Sequence, residues 1–384
     1  MRLRIADVLA GAEKYLSQSA HPPVVWRAWQ AIRSCRTSRL GGHVVVCKKG
    51  HVEGVWYNAC RNRACPRCSF YRVRLWLERQ ASTLLGCAHH HIIFTIPHEL
   101  NVLWLLNYRE LGELLFKSAR DALFDLASDP RYLGARPGVI MNLHTWGQQL
   151  LQHPHTHCLV TDGGVDESGH WVRSRRKSLL PAEPLKRLFR GKFLYGLRGL
   201  ALQERLRLPH GWSRADVLAL CRQANTKRWN VHVCERYEDP TAVLNYLGRY
   251  IHGGPMGESR LVAVDSDTVT FRYKDYRDMG PEGPRRKVMT LSRHEFIRRY
   301  LQHVPPKGFH MVRGYGVYRR GGTTEDIRTR AREAMPLTPE LHRSLSPRPA
   351  PPREDSDGSL FCSICGSPLD LVPRRARSAP RVAA

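Results

Sequence analysis

Five of the first six cysteines of the chain fall between residues 35 and 68, and this density restricts its folding more than any other feature. A small secreted protein would use such residues as disulfides, but 384 residues leave room for two or three domains with cores of their own. Metal binding in a reducing compartment is therefore the expected role. The cluster reads Cys47-x3-His51, then Cys60-x4-Cys65-x2-Cys68, and its closing Cys-Pro-Arg-Cys has the form of a zinc knuckle. With an upstream pair the knuckle supplies four soft ligands for a structural Zn2+, expected from among Cys47, His51, Cys60, Cys65 and Cys68. Cys60 is either a fifth candidate or the fourth ligand, and Cys35 and His43 remain open for a second ion. Cys362-x2-Cys365-Gly366 is a half-knuckle with no evident partner pair, either a remnant in a tail or a zinc ligand pair served by distant residues.

The charge points to a polyanion. Lys and Arg total 61 against 34 Asp and Glu, a formal charge of +27, and the excess is spread along most of the chain. Nucleic acid is the commonest partner of such a surface. No apolar run reaches the ~18 residues of a membrane span, and the N-terminus lacks the apolar core of a signal peptide. The expectation is a soluble protein of the bacterial cytoplasm, associated with the nucleoid, with no membrane partner.

Along the chain, helical periodicity before residue 34 gives way to the cysteine cluster and then to a basic amphipathic helix expected over 69–85. "HHHIIFTIP" reads as a strand, with Ile92 and Phe94 on one face and Ile93 and Thr95 on the other. "GVIMNLHTW" and "HPHTHCLVTDGG" read as a strand pair, with a turn at Gly163-Gly164 into a further hairpin. A basic helical section, further strands and a Pro-, Ser- and Arg-rich tail follow. Without regular strand–helix alternation or a glycine-rich phosphate loop, a P-loop NTPase does not fit; an α+β domain with an antiparallel sheet does. The division expected is 1–85 helical and zinc-binding, 86–320 catalytic, and 321–384 a basic tail.

Two constellations carry chemistry. In "HPHTHCLV", His155 and His157 stand two apart on a strand and so project from one face, a metal-ligand geometry. His144 or Gln148, at the end of the preceding strand and in its turn, is a possible third ligand for Mg2+ or Mn2+ with positions left open for a phosphate. In "DPTAVLNYLGRYIHGGP", Asp239 suits an N-cap, Pro240 the first helical position, and Gly253, Gly254 and Pro255 a stop. Tyr246 and Tyr250 then share one helix face, either as packing or as two nucleophiles one turn apart. Beside a metal that polarises a phosphate, each hydroxyl could attack phosphorus and keep the 5′ end as a phosphotyrosine. Arg61, Arg63, Arg67 and Arg249 are the expected DNA contacts; the basic runs at 172–177 and 285–287 are either solvated faces or further phosphate contacts.

"HPHTHCLV" followed by "YLGRY", together with "FTIPHEL", "FRYKDYRD", "EFIRRYLQHVPPKGFHMVRGYGVY" and "CRNRACPRC", resembles the two-tyrosine rolling-circle transposases of the HUH superfamily, insertion-sequence-ninety-one group. The resemblance covers roughly residues 30–320 with its order preserved. It implies an HUH-type antiparallel sheet with flanking helices, preceded by a small zinc-binding module. It also implies a metal-dependent nuclease that nicks and rejoins single-stranded or hairpin DNA at mobile-element ends. His155 and His157 match the family's histidine pair around Thr156, and Tyr246 and Tyr250 match both nucleophile positions. The family's first zinc pair is usually Cys-x2-Cys; here His51 stands in for the missing cysteine. A replication initiator shares this chemistry, and a zinc-dependent DNA-binding regulator would share the surface without it.

Overall fold

The computed structural model describes residues 3–18, 21–81, 83–175, 178–238, 242–243, 254–319, 324–335 and 361–374. Among them are twelve strands: β1 (Gly42–Cys47), β2 (Val52–Tyr57), β3 (His89–Thr95), β4 (Arg136–Trp146), β5 (Gln152–Val165), β6 (Trp171–Arg173), β7 (Asn230–Tyr237), β8 (Leu261–Val264), β9 (Thr268–Gly280), β10 (Gly283–Ser292), β11 (Val312–Tyr315) and β12 (Leu369–Arg374). The chain forms two units, one of Met1–Arg72 with Gly253–Val304 and Pro347–Ala384, the other of Val73–His252 with Pro305–Ser346. Of the module expected over residues 1–85, residues 1–72 share a unit with two later segments, and residues 73–85 fall in the other unit.

The second unit is built on an antiparallel sheet of order β11-β4-β5-β3-β7, with β6 on the far end of β5. Residues on both faces of its central strands are buried, and the period of two decides what goes where. Ile92, Phe94, Val139, Met141, Leu143, Cys158, Val160 and Val231 enter one core. The helices Tyr108–Ser128 and Ala182–Leu202 close that core, burying Leu111, Leu115, Ala119, Ala122 and Leu126 from the first and Leu185, Phe189, Phe193 and Leu197 from the second. These positions recur every three or four residues, the stripe of an amphipathic helix lying on a sheet. Ile140 and Leu159, one residue out of phase, face the other way into a smaller cluster with Leu84, Leu85, Val243, Val317 and Tyr318.

The first unit holds two small antiparallel sheets, β12-β1-β2 and β10-β9-β8, with the helices Pro23–Ser34 and Arg293–Leu301. The α+β architecture with an antiparallel sheet and flanking helices is as expected. The turn expected at Gly163-Gly164 is not: both glycines lie inside β5, and the chain reverses later, where Asp166 N–H donates to the His170 carbonyl around Gly169 at φ +86°. Strand glycines usually mark close approach of another backbone. A Cβ at Gly163 would lie 2.7 Å from the Val172 carbonyl oxygen, and one at Gly164 2.6 Å from the Arg136 carbonyl.

Gly164→Ala is therefore expected to cost about 2 kcal/mol in urea unfolding, as overpacking against a backbone that cannot step aside does. Gly199, in the helix Ala182–Leu202 with nothing within 4 Å of its added Cβ, should behave oppositely. Gly199→Ala is expected to stabilise by about 0.5–1 kcal/mol.

Candidate functional site

The pairing of β4 with β5 sets His144 directly opposite His155 and Asn142 opposite His157. Directly opposed residues share a face, so His144, His155 and His157 stand together on the side of the sheet away from the two long helices. Thr156, between the paired histidines, points into the helix-covered side, fully buried, with its hydroxyl donating to the Asn142 carbonyl at 3.3 Å. The ligand atoms of His144, His155 and His157 lie within 4.8 Å of one another. Of the two third ligands considered, His144 is thus brought to the pair; Gln148 lies in the turn that follows, where Leu150 N–H donates to the Gly147 carbonyl.

The hydrogen bonds define what these rings can do. His155 Nδ1 donates to the His153 carbonyl at 2.6 Å, which leaves a lone pair on Nε2 of the neutral ring. That Nε2 lies 3.1 Å from Nε2 of His157. The His157 tautomer decides this contact: protonated on Nε2 it donates to His155, and protonated on Nδ1 it leaves two Nε2 lone pairs facing a point that a cation could occupy. Ligands at adjacent octahedral positions, about 2.1 Å from a metal, would be about 3.0 Å apart, so the spacing fits a divalent ion. His157 Nδ1 is 3.0 Å from Nε2 of His91, the two rings stacked with centroids 5.3 Å apart. Asn142 Nδ2 is 2.9 Å from His144 Nε2. His91 thus orients the His157 ring, as a partner behind a metal ligand does, whereas the Asn142 amide nitrogen occupies the His144 Nε2 lone pair; an amide oxygen turned to that position would accept from Nε2 and free Nδ1 for a metal.

Neutral imidazole is the ligand form, and the surroundings enforce it. Burial, then the neighbouring His144, hold both His155 and His157 well below the usual histidine range. Burial lowers His91 to about 3. The sequence reading missed His91, although the run His89-His90-His91 at the start of a buried strand was its visible signal.

Tyr246, Tyr250 and Arg249 lie outside the described residues. Ala242 and Val243, just before them, are helical, and Val243 is fully buried in the cluster containing Ile140 and Leu159. Those two residues alternate with Asn142 and His157, so Val243 packs on the histidine-bearing face. The described tyrosines Tyr300 and Tyr318 are committed elsewhere, the first donating to the Ala64 carbonyl at 3.0 Å, the second bonded to His89 at 2.6 Å.

The cysteines group differently from the expected set. Cys60, Cys65 and Cys68 are joined by Cys35, all four ligand atoms within 4.8 Å, with Cys68 Sγ 3.5 Å from both Cys35 and Cys60. Cys47 and His51 stand apart from them, in a second group with Cys362 and Cys365. Cys35 closes the helix Pro23–Ser34 and Cys65 and Cys68 open the helix Pro66–Ala81, and no spacing rule links Cys35 to Cys68 across 33 positions and a hairpin. Of the arginines, Arg61 is exposed, Arg63 half-buried, and Arg67 donates to Glu258 at 3.0 Å.

A metal-ready histidine site on a sheet and a cysteine-bound module before it define a class that comparison with known proteins makes explicit. Residues 8–96 match the family described as "Transposase zinc-binding domain", and residues 138–325 the family described as "Putative transposase". The chain belongs to the IS91 family of transposases. It is 40% identical over 300 residues to "Putative transposase y4qJ" of Sinorhizobium fredii, covering 76% of this chain and 73% of that protein. It is 32% identical over 289 residues to the "Transposase for insertion sequence element IS801" of Pseudomonas savastanoi pv. phaseolicola, covering 74% and 67%. No solved structure matches. No helix among the described residues is long and apolar enough to cross a membrane.

Burial gives a pH prediction at His89, fully enclosed and lowered to about 4. Above pH ~6.5 neither folded nor unfolded chain protonates it; below, only the unfolded chain does, so stability falls from pH ~6.5 until about 4. The loss over that window is about 3 kcal/mol. Urea titrations at pH 7 and pH 4.5 should show a larger acid loss for the parent than for His89→Gln.

Proposed function

We propose that this transposase nicks and rejoins single-stranded DNA at the ends of a mobile element through 5′-phosphotyrosine intermediates on Tyr246 and Tyr250. The observation that carries the reading is the convergence of His144, His155 and His157 on the sheet face against which Val243 packs, three residues before Tyr246. A tyrosine hydroxyl forms the new bond to phosphorus, the bond from phosphorus to the 3′ oxygen breaks, and the phenolic proton lost is balanced by the one the 3′ hydroxyl gains. The reverse attack by another strand's 3′ hydroxyl on the phosphotyrosine joins the ends and frees the enzyme. One phosphodiester is exchanged for one phosphotyrosine, so no nucleotide cofactor is required. Two tyrosines allow a second strand to be cut while the first end is still held.

A divalent ion held by His155, His157 and His144 would supply charge withdrawal at a phosphate oxygen. All three donors are imidazoles, which suits Mn2+ better than Mg2+. Burial keeps His155 and His157 neutral, and the carbonyl of His153 fixes the tautomer of His155. A structural Zn2+ on Cys35, Cys60, Cys65 and Cys68 would have no open position and would shape the N-terminal module rather than react. The net charge of +27 suits a DNA substrate.

The test is a denaturing gel of protein incubated with labelled single-stranded end sequences and Mn2+. The parent should carry label; the Tyr246→Phe, Tyr250→Phe double variant should carry none, and a persistent adduct there would put the nucleophile elsewhere. His157→Ala should lose the adduct while DNA retention on a native gel remains, because surface charge rather than the metal supplies most affinity. His91→Ala should still react but require roughly 10- to 100-fold more Mn2+, the usual cost of losing a partner behind a metal ligand.

A further inference from the structure

The half-knuckle near the C-terminus has a partner, and it is at the other end of the sequence. Cys47, His51, Cys362 and Cys365 each offer a ligand atom, and the four atoms lie within 4.8 Å of one another. Cys47 Sγ is 3.6 Å from Cys365 Sγ and 3.5 Å from His51 Nδ1, which is itself 3.7 Å from Cys362 Sγ. A tetrahedron with zinc–sulfur bonds of about 2.3 Å and zinc–nitrogen bonds of about 2.0 Å has sulfur–sulfur edges of about 3.8 Å and sulfur–nitrogen edges of about 3.6 Å. A disulfide would instead need two sulfurs about 2.05 Å apart.

The backbone on each side is shaped for the same task. In the first turn Gly50 N–H donates to the Cys47 carbonyl at 2.8 Å and Gly50 takes φ +83°. In the second, Gly366 N–H donates to the Cys362 carbonyl at 2.9 Å and Gly366 takes φ +67°. Two tight turns, each closed by a left-handed glycine, thus present two ligands apiece to one point. Around them the segments are already joined: β12 pairs with β1 from Gly42↔Arg374 to Cys47↔Leu369, and Glu53 Oε1 accepts from Ser363 N at 2.5 Å and Ser363 Oγ at 2.8 Å.

From this geometry we infer that the chain binds a second structural Zn2+, in a closed site of three thiolates and one imidazole from Cys47, His51, Cys362 and Cys365. The zinc-binding family match ends at residue 96 and the transposase match at 325, so neither reaches Cys362 or Cys365. The ion fastens the C-terminal segment Phe361–Arg374 to the N-terminal hairpin as a third strand. Lys48 and Lys49, between two of its ligands, are held exposed at the tip.

The experiment is zinc stoichiometry of the purified full chain, by mass spectrometry of the metal and by release to a colorimetric chelator. The parent should hold two zinc ions per chain, Cys362→Ser with Cys365→Ser one, and Cys60→Ser with Cys65→Ser one. One ion in the parent, unchanged by Cys362→Ser with Cys365→Ser but lost from the Cys60 and Cys65 variant, would overturn the second site and leave the first standing. His51→Cys keeps four soft ligands and should retain both ions even if the serine variants fold poorly; loss of an ion there would also count against the site. With Co2+ in place of zinc, thiolate-to-cobalt absorption should fall by roughly half in the Cys362 and Cys365 variant, and an unchanged spectrum would contradict the assignment.

Discussion

The register of β4 against β5 is the constraint on which the rest depends. With His144 opposite His155, every second residue of both strands is committed: Leu143, Thr156 and Cys158 go under the long helices, while His144, His155 and His157 go to the other face. A slip of β5 by one residue would send His155 and His157 into a core of Phe94, Met141 and Phe189 and put apolar side chains on the face they now occupy. The large core and the site are thus two readings of one pairing. Burial of the helix-facing side, roughly 1.5–3 kcal/mol for each large side chain, is what holds the histidines at ligand distance.

That arrangement is unfavourable on its own terms. His155 and His157 are buried side by side, and burial opposes protonating either of them. The apolar core on the opposite face thus holds together polar rings that would not otherwise be drawn to one another. The first unit works the other way round. Its helices bury Leu9, Trp29, Phe296 and Tyr300, but the β1–β2 hairpin leaves Val52, Val55, Trp56 and Tyr57 exposed, and around that hairpin cysteine groups at 3.5–3.6 Å take over the task of joining distant segments. Metal binding in such a unit is folding free energy rather than an addition to it.

How much of this the sequence disclosed follows from how local each signal is. The His155 and His157 pair was legible because period two is a property of a single strand, and the long helices because their stripes are internal to each. Zinc binding was legible from cysteine density, but the partition of ligands was not. Cys35 and Cys60 meet Cys65 and Cys68 only once a helix end and a hairpin are placed, and Cys47 meets Cys365 across 318 positions. His91 escaped notice because its role depends on β3 lying next to β5, a tertiary fact. Gly163 and Gly164 misled for the opposite reason: a glycine pair signals a turn locally, whereas here the absent side chains admit the backbones of β6 and β4.

Charge shows the same gap between count and arrangement. Arg67 is spent on Glu258, Lys287 on Asp275 and Asp278 at 2.9 and 3.0 Å, Arg298 and Arg299 share Glu295, and Arg313 holds Glu113 at 2.6 Å. Even if each of the 34 carboxylates engaged one base, 61 − 34 = 27 cations would remain, and it is this surplus rather than any named arginine that attracts a phosphate backbone. Such attraction is screened beyond about 8–10 Å at physiological salt and reads no bases. A transposase must nevertheless act at particular ends, so the surplus charge can attract DNA but cannot choose it. Choice has to come from groups that touch base edges or the shape of a folded strand.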